Sequence, residues 1–199
     1  MVDHAAGPVG RRQFIGLLLG SVFGAGAALA ANPAEAYVSR IAEEVMALAN
    51  SGARGNALRN RFAALLNRYI SLRAIANYAL GRYQSKLPAG KRNEFYQLVS
   101  NYAAGLFVFY VNDFKGSKLD ITSTTKQGNF TIIQSTIKGG GEKIRWRLSG
   151  GGGGYRVSDV NIKGVWLTIA MRDRFNKVLK RSDGNFDALF AELREANSW

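Results

Sequence analysis

The 199-residue chain has no cysteine and a single histidine, His4. Without cysteine there is neither a disulfide scaffold nor thiol chemistry. His4 falls in an N-terminal segment that carries the marks of a cleavable export signal, so the mature chain would have no imidazole. These two absences exclude Ser-His and Cys-His nucleophilic machinery and the common zinc sites, and no cofactor or metal is expected. Carboxylate, lysine and tyrosine chemistry remain, but no paired-carboxylate motif stands out. The glycine runs lack the Lys-Ser/Thr of a phosphate-binding loop. The expectation is a non-covalent binding protein with no catalytic residue.

Acidic residues are the other shortage. There are 14 Asp and Glu against 27 Lys and Arg, giving a net charge of +13. Such a balance favours anionic partners: nucleic acid, or membrane surfaces and lipid headgroups. Export would favour the second, so no nucleic acid is expected.

Long apolar runs are also missing. The stretch from Phe14 to Ala30 contains four glycines and few bulky side chains. It is too short and too rich in Gly and Ala for a spanning helix. Ala28-Leu29-Ala30 has the small-x-small form a signal peptidase accepts, and Ala34-Glu35-Ala36 offers a second cut. An uncleaved anchor is the alternative. Arg11-Arg12-Gln13-Phe14-Ile15 resembles a twin-arginine export signal, although general secretory signals also begin with basic residues. Residues 1–30 therefore read as a signal peptide. Residues 31–199 read as one domain, long enough for a substantial core.

Within that domain, helical spacing recurs at Val38, Ile41, Val45 and Leu48. It recurs again at Leu58, Phe62, Leu65, Leu66 and Tyr69, with Arg54, Arg59, Arg61, Arg68 and Arg73 at intervening positions. A third helix is expected over Leu72–Tyr83, ended by Pro88 and Gly90. A long fourth runs from Lys91 to Val111, with Phe95, Leu98, Val99, Tyr102, Leu106, Phe109 and Tyr110 on one broad face. After Gly116 the composition turns β-branched. Leu119–Thr125 and Phe130–Ile137 read as strands. In the third strand Ile144, Trp146 and Leu148 alternate with Lys143, Arg145 and Arg147. Gly150 to Gly154 reads as a hairpin loop rather than a flexible linker, leading into a strand over Tyr155–Ile162. Two helices close the chain, one holding Met171, Phe175, Val178 and Leu179, the other Phe186, Leu189, Phe190 and Leu193. Four antiparallel strands with helices grouped at both ends imply an α+β domain. A curved sheet wrapped by a helical subdomain is suited to enclosing an apolar cavity.

The stretch Tyr155 to Arg194 resembles the signature of the MlaC family of periplasmic phospholipid-binding proteins, also known from toluene-tolerance systems. The matching elements are Tyr155-Arg156-Val157, Asp159-Val160, Gly164-Val165, Leu167, Arg172, Phe175 and the closing apolar helix. Upstream, Phe62-x-x-Leu65, the run Ile75-Ala76-x-Tyr78-Ala79-Leu80-Gly81-Arg82-Tyr83, and the helix with Phe95, Tyr102 and Leu106 are similar to the family's helical half. The chain departs from the pattern at Trp166, where the family usually has serine, at Met171 in place of tyrosine, and at Arg174 in place of glutamine. The resemblance implies a sheet of the nuclear-transport-factor type plus a helical subdomain. It also implies a monomeric periplasmic shuttle, an auxiliary of an ABC transporter serving outer-membrane asymmetry. Such a shuttle carries phospholipid between an outer-membrane lipoprotein complex and an inner-membrane ATP-driven complex. Hopanoid-associated members of the family exist, so a hopanoid-type ligand is a second reading.

The lining residues that follow are Phe62, Leu66, Tyr69, Leu98, Tyr102, Leu106, Ile144, Trp146, Val157, Val165, Leu167, Met171 and Phe175. Arg172 and Trp166 would meet a headgroup or a partner. Any of the apolar set could equally be plain core. Asp159 could be an acid catalyst or a structural hydrogen-bond acceptor. Arg172 could face a phosphate, a partner carboxylate or solvent. Lys143, Arg145 and Arg147, interleaved with Trp146, could be solvated, partner-facing or, without export, RNA-binding. An enzyme acting through Asp159 and a protein-interaction module with a basic docking face are the rival classes.

Overall fold

The computed structural model describes residues 32–114, 118–138, 141–151 and 154–195. The expected signal segment, residues 1–30, lies outside them. The first helix, α1 (Pro33–Asn50), starts where a polar side chain can replace missing backbone partners. Asn32 accepts from the Ala34 N–H at 3.0 Å, and Pro33 occupies the first turn, where its lack of an N–H costs nothing. Helices α2 (Gly55–Tyr69) and α3 (Leu72–Leu80) follow. The third is shorter than its apolar spacing suggests, because Gly81 takes φ +54° and the chain tightens into 3₁₀ turns over Gly81–Lys86 and Ala89–Lys91. The long helix α4 (Arg92–Phe114) runs through the helical half, apolar on more than one side. Phe95, Val99 and Tyr102 pack into one cluster and Phe107 into another.

Five strands form one open antiparallel sheet in sequence order: β1 (Leu119–Gln127), β2 (Phe130–Ile137), β3 (Lys143–Gly151), β4 (Gly154–Ile162) and β5 (Val165–Trp166). The fifth strand is an addition to the four that alternation marks. It is two residues long, too short to alternate, and is created by a tight turn at Lys163-Gly164, both in the left-handed region. Helices α5 (Leu167–Arg181) and α6 (Phe186–Glu195) close the fold. The glycine-rich connection is a hairpin, with Gly151 opposite Gly154 and Gly150 opposite Tyr155.

Period-two alternation sends Ile133, Ile144, Trp146, Leu148 and Val157 to one face of the sheet, where Ala34, Val38 and Ile41 of α1 cover them. A second cluster fills the helical half. Phe95 meets Phe175 edge-on at 6.1 Å and Phe190 in a stack at 6.2 Å, with Leu80, Val99, Leu179, Leu189 and Leu193 around them. A third, smaller cluster joins α1, α2 and α4, where Phe62 stacks on Phe107 with ring centroids 3.7 Å apart. Among the described residues no helix is long and apolar enough to cross a membrane.

Candidate functional site

The sheet cluster and the helical cluster meet along a seam at the α2–α3 junction. Ile70 ends α2 in an extended conformation and bridges Val157 in parallel, and the Ser71 N–H donates to the Val157 carbonyl at 2.9 Å. The Arg156 guanidinium donates to the carbonyls of Asn67 at 3.2 Å and Ile70 at 3.0 Å, and to that of Arg68. These carbonyls have no helical partner at the end of α2, and a cation there also suits the negative end of the helix dipole. Ile70 packs against both large clusters. On the sheet side Tyr37 meets Tyr69 edge-on at 5.8 Å and donates to the Tyr69 carbonyl at 3.1 Å. Burial pushes the Tyr37 phenol above its ordinary value, and a further upward push from Tyr69 is opposed by Arg156 and Arg40. The Tyr69 hydroxyl donates to Glu44, which also pairs with Arg68 at 2.9 Å.

The residues singled out as cavity lining fall on both sides of this seam. Tyr69, Ile144, Trp146 and Val157 lie in the sheet cluster. Leu98, Tyr102, Met171 and Phe175 lie in the helical cluster, with Leu106 and Leu167 packed against it. Phe62 belongs to the third cluster, and Leu66 is buried on α2. Val165 stands apart, with its side chain 56% exposed on β5. Inside the sheet layer the Trp146 indole N–H donates to the Ser135 hydroxyl at 3.0 Å, which satisfies the ring's one polar atom without water.

Asp159 is a structural acceptor in this arrangement. It is 1% exposed, and its carboxylate accepts from the Val160 N–H at 2.9 Å, the Thr168 N–H at 3.1 Å and the Thr168 hydroxyl at 2.5 Å. Arg147 approaches it to 3.5 Å. The carboxylate thus holds the first turn of α5 onto β4, where a negative charge also favours the helix dipole. Each of its oxygens accepts at least one hydrogen bond. Among the described residues no group of three or more His, Cys, Asp or Glu side chains is placed to hold a metal ion.

On the other face of the sheet, Trp166 sits between two arginines. The Arg147 guanidinium lies 4.2 Å from its ring centroid and that of Arg145 lies 5.3 Å away. Arg147 also stands 5.6 Å from the Phe130 ring. Antiparallel pairing explains the cluster, since Arg145 opposes Asn161 and Asn161 opposes Trp166. Lys143, Arg145 and Trp146 are therefore split between two faces. Trp146 is buried inside and the cations face outward.

Two clefts, each about 350 Å³, open on the helical half rather than between sheet and helices. One is walled by Asn77, Gly81, Arg82, Arg92 and Tyr96, the other by Leu72, Arg73, Tyr96, Gln97 and Ser100. Neither is lined by a strand residue, so the apolar cavity expected between the layers is not among them. Arg172 of α5 packs against the end of α3, outside the lining of both clefts. Its guanidinium lies 5.2 Å from the Tyr78 ring and 3.2 Å from where a Cβ on Gly81 would stand. Of the three arginines in these clefts, Arg73 and Arg82 entered the sequence analysis only as an intervening helix position and as part of a family-like run, and Arg92 and Tyr96 were not singled out, because isolated cations on a helix look like an ordinary solvated face. Ile70 and the Arg156 clamp were not singled out either. Only the Tyr155-Arg156-Val157 match of the family signature pointed toward them.

The open antiparallel sheet with its six helices defines an α+β domain in two layers, joined at the seam. The MlaC protein family matches residues 39–195, and the chain belongs to that family. The fold is also that of a phospholipid-binding protein from Ralstonia solanacearum determined in complex with a phospholipid. The two superpose with a TM-score of 0.68 at 18% identity, covering 83% of this chain and 97% of the other. No curated protein matches the chain.

Proposed function

We propose that the protein is a periplasmic lipid-binding shuttle, exported by its N-terminal segment and carrying phospholipid between an inner-membrane ATP-driven complex and an outer-membrane lipoprotein complex. Membership of the MlaC family carries this reading, and the likeness to a fold found with phospholipid bound supports it. The seam is the place for acyl chains. Tyr69, Ile144, Trp146 and Val157 would line one wall and Leu98, Tyr102, Leu106, Leu167, Met171 and Phe175 the other, with Phe62 and Leu66 at its α2 end. Arg172 and Trp166 would contact a headgroup or a partner complex. The work is done by exclusion of water, with no bond made or broken.

The energetics suit a reversible carrier. Two acyl chains hold on the order of 30 methylenes at about 0.8 kcal/mol each, so exposing them to water costs more than about 20 kcal/mol. A bilayer solvates the same chains equally well, and the net change on extraction is close to zero. Direction must therefore come from a partner with an energy source, which agrees with the absence of a phosphate-binding loop in this sequence. A hopanoid-type lipid is the alternative cargo, because Trp166 and Met171 replace smaller or more polar family residues beside α5. Native mass spectrometry of the purified mature chain tests the proposal. The expected result is one two-chain phospholipid per protein, either co-purified or acquired from vesicles. A mass matching bare protein under both conditions overturns it, and a hopanoid mass selects the alternative.

A further inference from the structure

The two clefts lie side by side, with Tyr96 the one residue common to their linings, and together they make a two-part groove beside α3 and the start of α4. Three arginines line it: Arg73 beside Tyr96, with its guanidinium 5.3 Å from the ring centroid, and Arg82 and Arg92 in the other half. No carboxylate is in its lining. Some arginines elsewhere are neutralised. Arg68, Arg147, Arg174, Arg181 and Arg194 each face an Asp or Glu, while Arg40, Arg54, Arg61, Arg145, Arg156 and Arg172 are in no ion pair among the described residues. In a chain with only 14 acids, Arg73, Arg82 and Arg92 are likewise in no ion pair among the described residues.

A second, independent feature lies on the floor of the groove. The Ser100 side chain is 4% exposed, and its hydroxyl has no hydrogen-bond partner. A buried hydroxyl without a partner has lost its water and gained nothing in exchange, and such a group in a natural protein calls for a reason. Beside it, Asn67, Asn93 and Gln97 add neutral amide donors. Asn93 also stands in the first turn of α4, at the positive end of that helix's dipole. The Tyr96 hydroxyl is occupied as a donor to Asn77 at 2.9 Å, which fixes the ring between the two halves.

We infer that this groove binds a phosphate-bearing anion. Arginine forks match tetrahedral phosphate oxygens two at a time, and amide and hydroxyl donors complete the shell. The concavity fits a small phosphate ester better than the flat face a protein partner would need. The source is either the headgroup of a lipid or a free phosphate compound. The site does not depend on the shuttle reading. A protein that carried no lipid would still bind phosphate here, and a carrier with a silent groove would still enclose acyl chains.

Isothermal titration of the purified chain with inorganic phosphate and with glycerol 3-phosphate, at matched ionic strength in chloride, tests the inference. One saturable site is expected. Its affinity should fall at least tenfold in the triple variant Arg73→Gln, Arg82→Gln, Arg92→Gln, whose exposed positions should leave the thermal midpoint in place. Ser100→Ala, a smaller change, should weaken binding several-fold. No saturable binding of either probe overturns the inference, and so does binding of equal strength in the triple variant. The lipid load of the triple variant separates the two sources. Tighter glycerol 3-phosphate binding together with a reduced load identifies a headgroup site. Equal or tighter binding of inorganic phosphate with an unchanged load identifies a site for free phosphate.

Discussion

Asp159 shows how one buried charge is made useful by its neighbours. Isolated carboxylates are expensive inside a protein, but this one faces three donors and a guanidinium. The arrangement fixes the strand-to-helix join on which Trp166, Leu167, Met171 and Arg172 all depend for their positions. Asp159→Ala would leave the Thr168 N–H and hydroxyl without acceptors and Arg147 without its anion. The expected cost is about 2–4 kcal/mol in urea unfolding. Asp159→Asn keeps the shape and one acceptor, and should cost less. An acid catalyst would behave in the opposite order, with Asn abolishing activity at little cost to stability. The sequence placed Asp159 in a strand next to Val157 and Val160 but left its partner open. Thr168 lies nine residues on and only the β5 turn brings it back, a contact that no periodicity encodes.

At the scale of elements, hydrophobic spacing identifies most of the structure because the buried faces are regular. The β3 alternation of Ile144, Trp146 and Leu148 against Lys143, Arg145 and Arg147 survives intact, as does the Phe130–Ile137 strand. What spacing cannot show is where backbone geometry decides. The break of α3 at Gly81 and the two-residue β5 are local turns without an apolar pattern. Arg59, which reads as an outward position on α2, is buried in the structure at 8% exposure. The seam is illegible for another reason: it joins residues 67–71 to residues 156–157, and long-range pairing leaves no local trace. The glycine hairpin gives a sharp test of geometry over flexibility. Gly150 has φ +92°, and a Cβ there would stand 2.3 Å from the Gly154 carbonyl oxygen, a backbone atom that can move only by distorting the ladder. A flexible linker would accept Gly150→Ala with no loss. A hairpin should lose at least about 1–3 kcal/mol and expose the β3–β4 amides to faster hydrogen exchange. Gly151, with nothing near its Cβ position and no positive φ, should tolerate the same change.

For the whole molecule, the question is whether the two layers act as one core or as two walls. A single core would be held by side chains that interdigitate throughout, and truncation anywhere in it would cost stability alone. Here the two larger apolar clusters, one on the sheet and one among the helices, meet at Ile70, where hydrogen bonds to backbone carbonyls join them, and Asp159 ties α5 to β4 beside them. If acyl chains enter at the seam, Trp146→Ala on the sheet wall and Met171→Ala on the helical wall remove contacts that a bound chain also makes. Leu189→Ala lies in α6 within the helical cluster, outside the walls assigned to the chain. All three should destabilise the protein by about 2–5 kcal/mol. Only the first two should also lower the lipid bound per folded protein, read by native mass spectrometry of the folded fraction. A bound ligand stabilises by about 2.7 kcal/mol at a hundredfold excess over its dissociation constant. Vesicles should therefore raise the unfolding midpoint of wild type and of Leu189→Ala alike, and raise those of Trp146→Ala and Met171→Ala by less. Equal rises in all four would place the chains somewhere other than the seam, and the division into two walls would then be a feature of folding alone.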